Sequence, residues 1–113
     1  MKKTVDDHFQ FLPICSVDDL PSGERLFIEV GKNAIVMFNI DGEVYAIADV
    51  CSHETCQLGD GELDGYEIVC PCHGARFDVR NGMVLSLPAI KDVESYPVRI
   101  NKNTIEIGIL EPD

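Results

Sequence analysis

An all-β fold, a sandwich or small barrel whose strands support functional loops, is what the sequence predicts, and three features predict it. Turn signals recur at Pro21-Ser22-Gly23, Gly31-Lys32-Asn33, Asp41-Gly42, Asp64-Gly65, Asn81-Gly82 and Asn101-Lys102-Asn103, with short β-rich runs between most of them. Apolar residues alternate with polar ones in several of those runs, the period of a half-buried strand. No long pattern of period 3.6 is present, so no long helix is expected. The chain has 113 residues, 45% hydrophobic and 26% charged. That is enough for one self-folding domain and too little for a catalytic domain beside a separate cofactor domain, so residues 1–113 are read as a single domain.

The elements follow in order. The apolar segment Leu12 to Val17 predicts an early strand with Cys15 as a core residue, and Val17 to Leu20 a short helical turn. Leu26, Ile28 and Val30 alternate as in a half-buried strand. The runs 34–38 and 44–48 are continuously apolar, as in more fully buried strands, and Asp41-Gly42 between them suits a tight hairpin because both residues tolerate positive φ. Ile105, Ile107 and Ile109 alternate around Glu106 in a closing strand. Cys51 to Asn81 breaks the rhythm: it holds four of the five cysteines, two of the three histidines and few strand-length apolar runs, and it reads as a site built on loops.

Charge and targeting exclude several function classes. Twenty acidic residues against nine basic ones give a formal charge of -11, which would be repelled by a nucleic-acid backbone or an anionic membrane and favours a basic partner. Behind Lys2 and Lys3, Asp6, Asp7 and His8 interrupt any apolar stretch of signal-peptide length, and the longest apolar run, Ala34 to Phe38, is far below the roughly 20 residues of a membrane span. A cytoplasmic location is expected, and there cysteines serve more often as metal ligands or thiols than as a disulfide framework.

Cys51-Ser52-His53 and Cys70-Pro71-Cys72-His73 form C-x-H, sixteen intervening residues, then C-x-x-H. Each loop offers one thiolate and one imidazole. Such a set suits a structural zinc, or a 2Fe-2S cluster in which two histidines replace two cysteines on one iron. The first defines an interaction module, the second a redox protein.

These motifs resemble the two cluster-binding loops of Rieske-type 2Fe-2S ferredoxins, the soluble ferredoxin components of ring-hydroxylating dioxygenase systems. Ala75 to Gly82 resembles the strand and turn that follow, and Leu87-Pro88-Ala89 the proline-containing loop over the cluster. The resemblance implies a Rieske fold: three antiparallel sheets in a sandwich, with an inserted cluster-binding subdomain at about residues 50–90. It further implies one Rieske-type 2Fe-2S cluster, with Cys51 and Cys70 on the inner iron and His53 and His73 on the outer one. Two thiolates leave the oxidised cluster neutral where four would leave it at -2, so an electron is added more readily, at roughly -150 to +300 mV against about -400 mV for plant-type ferredoxins. High-potential members carry Ser and Tyr donors where this chain has Ala75 and Phe77, which implies a potential near the low end. Cys56 and Cys72 match the positions of a disulfide between the cluster loops in the high-potential branch, a feature many soluble relatives lack; a disulfide and two packed thiols both stay open here.

The resemblance implies a one-electron carrier and no enzyme: a flavin-dependent NAD(P)H reductase on one side, a terminal oxygenase or other redox acceptor on the other. A small redox subunit of a nitrite reductase-like assembly is an alternative within the family. His8 is the single histidine outside the motifs and is read as solvated surface, so the two-histidine, one-carboxylate site of a mononuclear iron oxygenase cannot be built. Glu54, Asp60, Glu62, Asp64 and Glu67 place five acids and no basic residue between the loops, read as a docking face for a basic partner with Arg76 and Arg80 as local counter-charges.

Overall fold

The computed structural model describes residues 9–50, 56–72, 74–87 and 91–110. Among the described residues, ten strands are arranged in three antiparallel sheets. In chain order they are β1 (Phe9–Ser16), β2 (Arg25–Val30), β3 (Asn33–Ile40), β4 (Glu43–Ala48), β5 (Glu62–Asp64), β6 (Glu67–Val69), β7 (Arg76–Asp78), β8 (Ser95–Tyr96), β9 (Val98–Asn101) and β10 (Thr104–Leu110). The sheets are ordered β1-β10-β9, β2-β3-β4-β8 and β5-β6-β7.

The second sheet is the middle layer, and the sequence of β3 explains why. Ile35 and Met37 point to one face and pack with Leu20, Ala46, Ile105 and Ile107 beneath the first sheet. Val36 and Phe38 point to the other and pack with Ile47, Leu58, Ile68, Ala75 and Phe77 beneath the third. A strand buried on both faces reads as a continuous apolar run instead of an alternation. β2, at the edge of this sheet, keeps the alternation expected of a half-buried strand. The β3–β4 hairpin turns at Asp41 (φ 56°) and Gly42 (φ 93°), with the Gly42 N–H donating to Asn39 Oδ1 at 2.8 Å. Pro13, which has no N–H to give, lies in β1 at the edge of the first sheet, beside a register shift between Pro13 and Cys15.

The short turn expected at Val17 to Leu20 is a 3-10 turn over Val17–Asp19, capped reciprocally by Ser16 and Asp19 and followed by buried Leu20. Two expectations need correction. The stretch read as loops contains the third sheet; its strands are three residues long, too short to display a period, and each contributes one inward apolar residue, Leu63, Ile68 or Phe77. Glu106, read as outward-facing, is buried, because Arg99 Nε on the paired strand β9 reaches Glu106 Oε1 at 2.6 Å and supplies a charged partner.

Candidate metal centre

The second motif loop turns between β6 and β7. The Cys70 N–H donates to the Ala75 carbonyl at 2.7 Å, and the Gly74 N–H to the Cys70 carbonyl at 2.9 Å. Gly74 sits at φ 80°, a region that favours glycine, which lets the chain reverse within five residues. Cys70 is 1% exposed and packs in the cluster that contains Ile68, Ala75, Phe77 and Val79, whereas Pro71 and Cys72 at the tip are exposed. Ala75 and Phe77 are fully buried apolar side chains of that same cluster, and neither can donate a hydrogen bond to a sulfur.

Cys56 and Cys72 form a disulfide with Cα atoms 6.4 Å apart, tying the segment after the first motif to the tip of the second. The sulfurs of Cys56, Cys70 and Cys72 lie within 4.8 Å of one another, and Cys70 stands outside the disulfide. Cys15 belongs to the other core cluster, where burial first and the Asp19 carboxylate second push its thiol pKa up, as befits a packed core residue.

Sequence reasoning missed how the first loop is anchored. Beyond Cys56 the chain makes a 3-10 turn at Leu58–Asp60, gripped from the middle sheet by two charged side chains. Asp49, 4% exposed and just past β4, accepts from the Gly59 N–H at 2.5 Å and from Gln57 Nε2 at 2.9 Å. Arg25 on β2 donates to the carbonyl oxygens of Gly59 and Gly61, at 2.5 and 2.8 Å, with its guanidinium over the Phe38 ring. A Cβ at Gly59 would lie 2.6 Å from Phe27 and 2.8 Å from Asp49 Oδ1, so a larger residue would have to push these side chains aside. An acid at the end of a buried strand, two residues before a motif cysteine, was the available signal.

The third sheet carries the charge around this turn. Arg76 pairs with Asp64 at 3.3 Å and Glu67 at 3.1 Å, the counter-charge expected of it. Arg80 instead pairs with Asp78 at 2.9 Å, lowering that carboxyl's pKa, and stacks on Tyr66. Residues 82–87 run beside β7, held by the Leu85 N–H on the Arg76 carbonyl and the Arg76 N–H on Ser86 Oγ. They leave Met83, Leu85 and Leu87 exposed, Leu87 at 75%. Cys51, His53, Glu54, His73, Pro88 and His8 lie outside the described residues.

The donor chemistry fits a cluster with mixed ligation. Of five cysteines, the disulfide withdraws Cys56 and Cys72, and Cys15 lies in the separate core cluster. Cys70, buried on the second loop, and Cys51 in the first motif remain, one thiolate per loop to match one histidine per loop.

Residues 10–97 match the Rieske [2Fe-2S] domain model, and the chain belongs to that family. It is 40% identical over 84 residues, 74% of this chain and 81% of the relative, to the ferredoxin component of the naphthalene 1,2-dioxygenase/salicylate 5-hydroxylase systems of a Ralstonia species. Among solved structures it resembles the Sphingomonas yanoikuyae B1 ferredoxin, with TM-score 0.79 and 33% identity over 91% of this chain and all of that one. It also resembles a chain in the complex of reduced oxygenase and oxidised ferredoxin of carbazole 1,9a-dioxygenase, with TM-score 0.82 and 27% identity over 91% of this chain and 96% of that one. The cofactor of this family is a 2Fe-2S cluster, so the structural zinc alternative falls away and the chain is an electron carrier. No helix among the described residues is long and apolar enough to cross a membrane.

Proposed function

We propose that this protein is the ferredoxin component of a ring-hydroxylating dioxygenase system. It takes single electrons from a flavin-dependent NAD(P)H reductase in the cytoplasm and delivers them to a terminal oxygenase. The likeness to ferredoxin components over most of both chains supports the setting. The observation that carries the site reading is the buried thiol of Cys70 beside a disulfide that has already claimed Cys56 and Cys72.

In this reading residues 50–90 form the cluster-binding subdomain of a single domain. Cys51 and Cys70 hold the inner iron, and His53 and His73 the outer iron, nearer the surface. The cluster supplies one reversible electron. The chain's own residues do the rest: Asp49 and Arg25 fix the first loop's return to the scaffold, the Cys70–Ala75 turn fixes the second, and the buried side chains of Ala75 and Phe77 offer no hydrogen-bond donor of their own. The exposed acids Asp60 and Glu62 attract a basic docking face toward this end of the molecule.

The test is an EPR spectrum of the dithionite-reduced protein with its midpoint potential and iron analysis. A Rieske signal at roughly -150 mV supports the assignment. A Rieske signal at clearly positive potential removes the dioxygenase setting while keeping the cluster, and an iron-free protein removes both.

A further inference from the structure

Three sulfurs within 4.8 Å of one another, of which two share a disulfide, form more than a structural tie. We propose that Cys70 attacks this disulfide when the cluster is lost. The exchange yields an isomer that cannot rebind iron, so the cluster guards the pairing of its own loops. The inference rests on the reading of Cys70 as an iron ligand.

The step balances without an external oxidant or reductant. The Cys70 thiolate attacks Cys56 Sγ, a Cys70–Cys56 bond forms, the Cys56–Cys72 bond breaks, and Cys72 leaves as the thiolate. The structure favours that direction. Cys72 is exposed, so its charge is released into water, whereas attack at Cys72 would release the thiolate of half-buried Cys56. A Cys70–Cys72 bridge would also close a ring across Pro71 alone, whose φ is fixed. Backbone hydrogen bonds on both sides of Cys70, to Ala75 and from Gly74, keep the nucleophile beside its target. While Cys70 is bound to iron its lone pair is engaged and exchange is blocked. Once exchanged, one ligand thiolate is missing, and reloading requires a thiol reductant.

The experiment follows the disulfide map of the full-length protein with and without its cluster. The cluster is released in acid, where thiols stay protonated, and the protein is brought to pH 8 under argon without added thiol. Samples are quenched in acid, denatured, labelled with N-ethylmaleimide at mildly acidic pH and cut after glutamate. Glu43, Glu54, Glu62 and Glu67 then separate Cys51, Cys56 and the Cys70–Cys72 pair, and fragmentation places the label on Cys70 or Cys72. We expect label to leave Cys70 and appear on Cys72, at least tenfold above the holoprotein held under the same conditions. Label retained on Cys70, label on Cys56, or a statistical mixture that includes Cys51 bridges would overturn the exchange. If holoprotein and apoprotein exchange equally fast, the exchange stands and the assignment of Cys70 as an iron ligand falls.

Discussion

Asp49 and Gly59 are joined inside the core: the Gly59 N–H donates to Asp49 Oδ1 at 2.5 Å, and the carboxylate is 4% exposed. A buried carboxylate persists there because Gln57 engages its second oxygen, so both oxygens are satisfied. Asp49→Ala leaves the Gly59 N–H and the Gln57 amide without their acceptor, at a cost of about 2–4 kcal/mol. We expect the thermal midpoint, followed by far-UV circular dichroism, to fall by roughly 10 °C, with cluster absorbance bleaching at lower temperature than in the parent. Asp49→Asn keeps one acceptor and should lose less than half as much; equal losses for the two variants would show that charge, not acceptor geometry, holds the turn.

Gly82 is the second tight point. It has φ 78°, donates to the Asp78 carbonyl at 2.7 Å and accepts from the Val93 N–H at 2.8 Å, and a Cβ would collide with the Val93 carbonyl oxygen. Gly65 shares the positive φ, at 64°, but nothing stands near its missing Cβ. Alanine at Gly65 therefore costs only the backbone penalty of about 1–2 kcal/mol, while alanine at Gly82 adds a backbone displacement and should cost 3 kcal/mol or more, of order. Parallel thermal melts of the two variants check this, and matching midpoints would contradict it.

Legibility in the sequence followed the length of the signal. β3 and β4 and their Asp41-Gly42 turn were readable because six- and eight-residue runs expose a pattern and a hairpin dipeptide marks the join. The β5-β6-β7 sheet was not, since one buried side chain per strand has no period. Its register comes from tertiary packing under Phe38 and Ile47. The motif cysteines and histidines announced themselves by spacing, whereas Arg25 and Asp49, one 26 residues upstream of the first motif and one beside it, could be linked to the site only by three-dimensional proximity.

Asp78 gives a pH dependence of known sign. Hydrogen bonds from Arg80 Nε and Nη2, at 3.0 and 2.9 Å, lower its pKa below the ordinary 3.8, overcoming the opposing effect of burial. A depressed carboxyl contributes stability that is present above the unfolded-state value and is lost as pH falls through the folded-state value. The difference in thermal midpoint between the parent and Asp78→Asn should thus be constant from about pH 7 to pH 5 and shrink below about pH 4. A difference that persists unchanged to pH 2.5 would mean that the Asp78–Arg80 pair carries no linkage.

Electrostatic steering should depend on which acids are already compensated. Arg76 sits between Asp64 and Glu67, while Asp60 and Glu62 project from the neighbouring turn and strand as exposed acids. We expect Asp60→Lys combined with Glu62→Lys to slow second-order electron transfer to a dioxygenase several-fold at low ionic strength, the difference vanishing by about 0.5 M salt as screening shortens the field. Stopped-flow rates across a salt series measure it, and rates that match the parent at every salt concentration would place docking elsewhere.

The potential should respond to the two buried positions beside Cys70. Ala75 and Phe77 are both fully buried in the cluster of side chains that contains Cys70, and neither offers a donor. Ala75→Ser and Phe77→Tyr each introduce a hydroxyl into that apolar surround, where it must find a partner or cost about 1–3 kcal/mol in stability. A donor that reaches a ligand or bridging sulfur stabilises the electron-rich reduced state more than the oxidised one, and about 1.4 kcal/mol of that preference raises a one-electron potential by about 59 mV. Protein-film voltammetry of each variant against Phe77→Leu, which disturbs packing without adding a donor, separates the two effects. A rise for tyrosine and serine but not for leucine is expected. Equal shifts in all three would assign the change to packing and remove side-chain donors at positions 75 and 77 as a control on the potential.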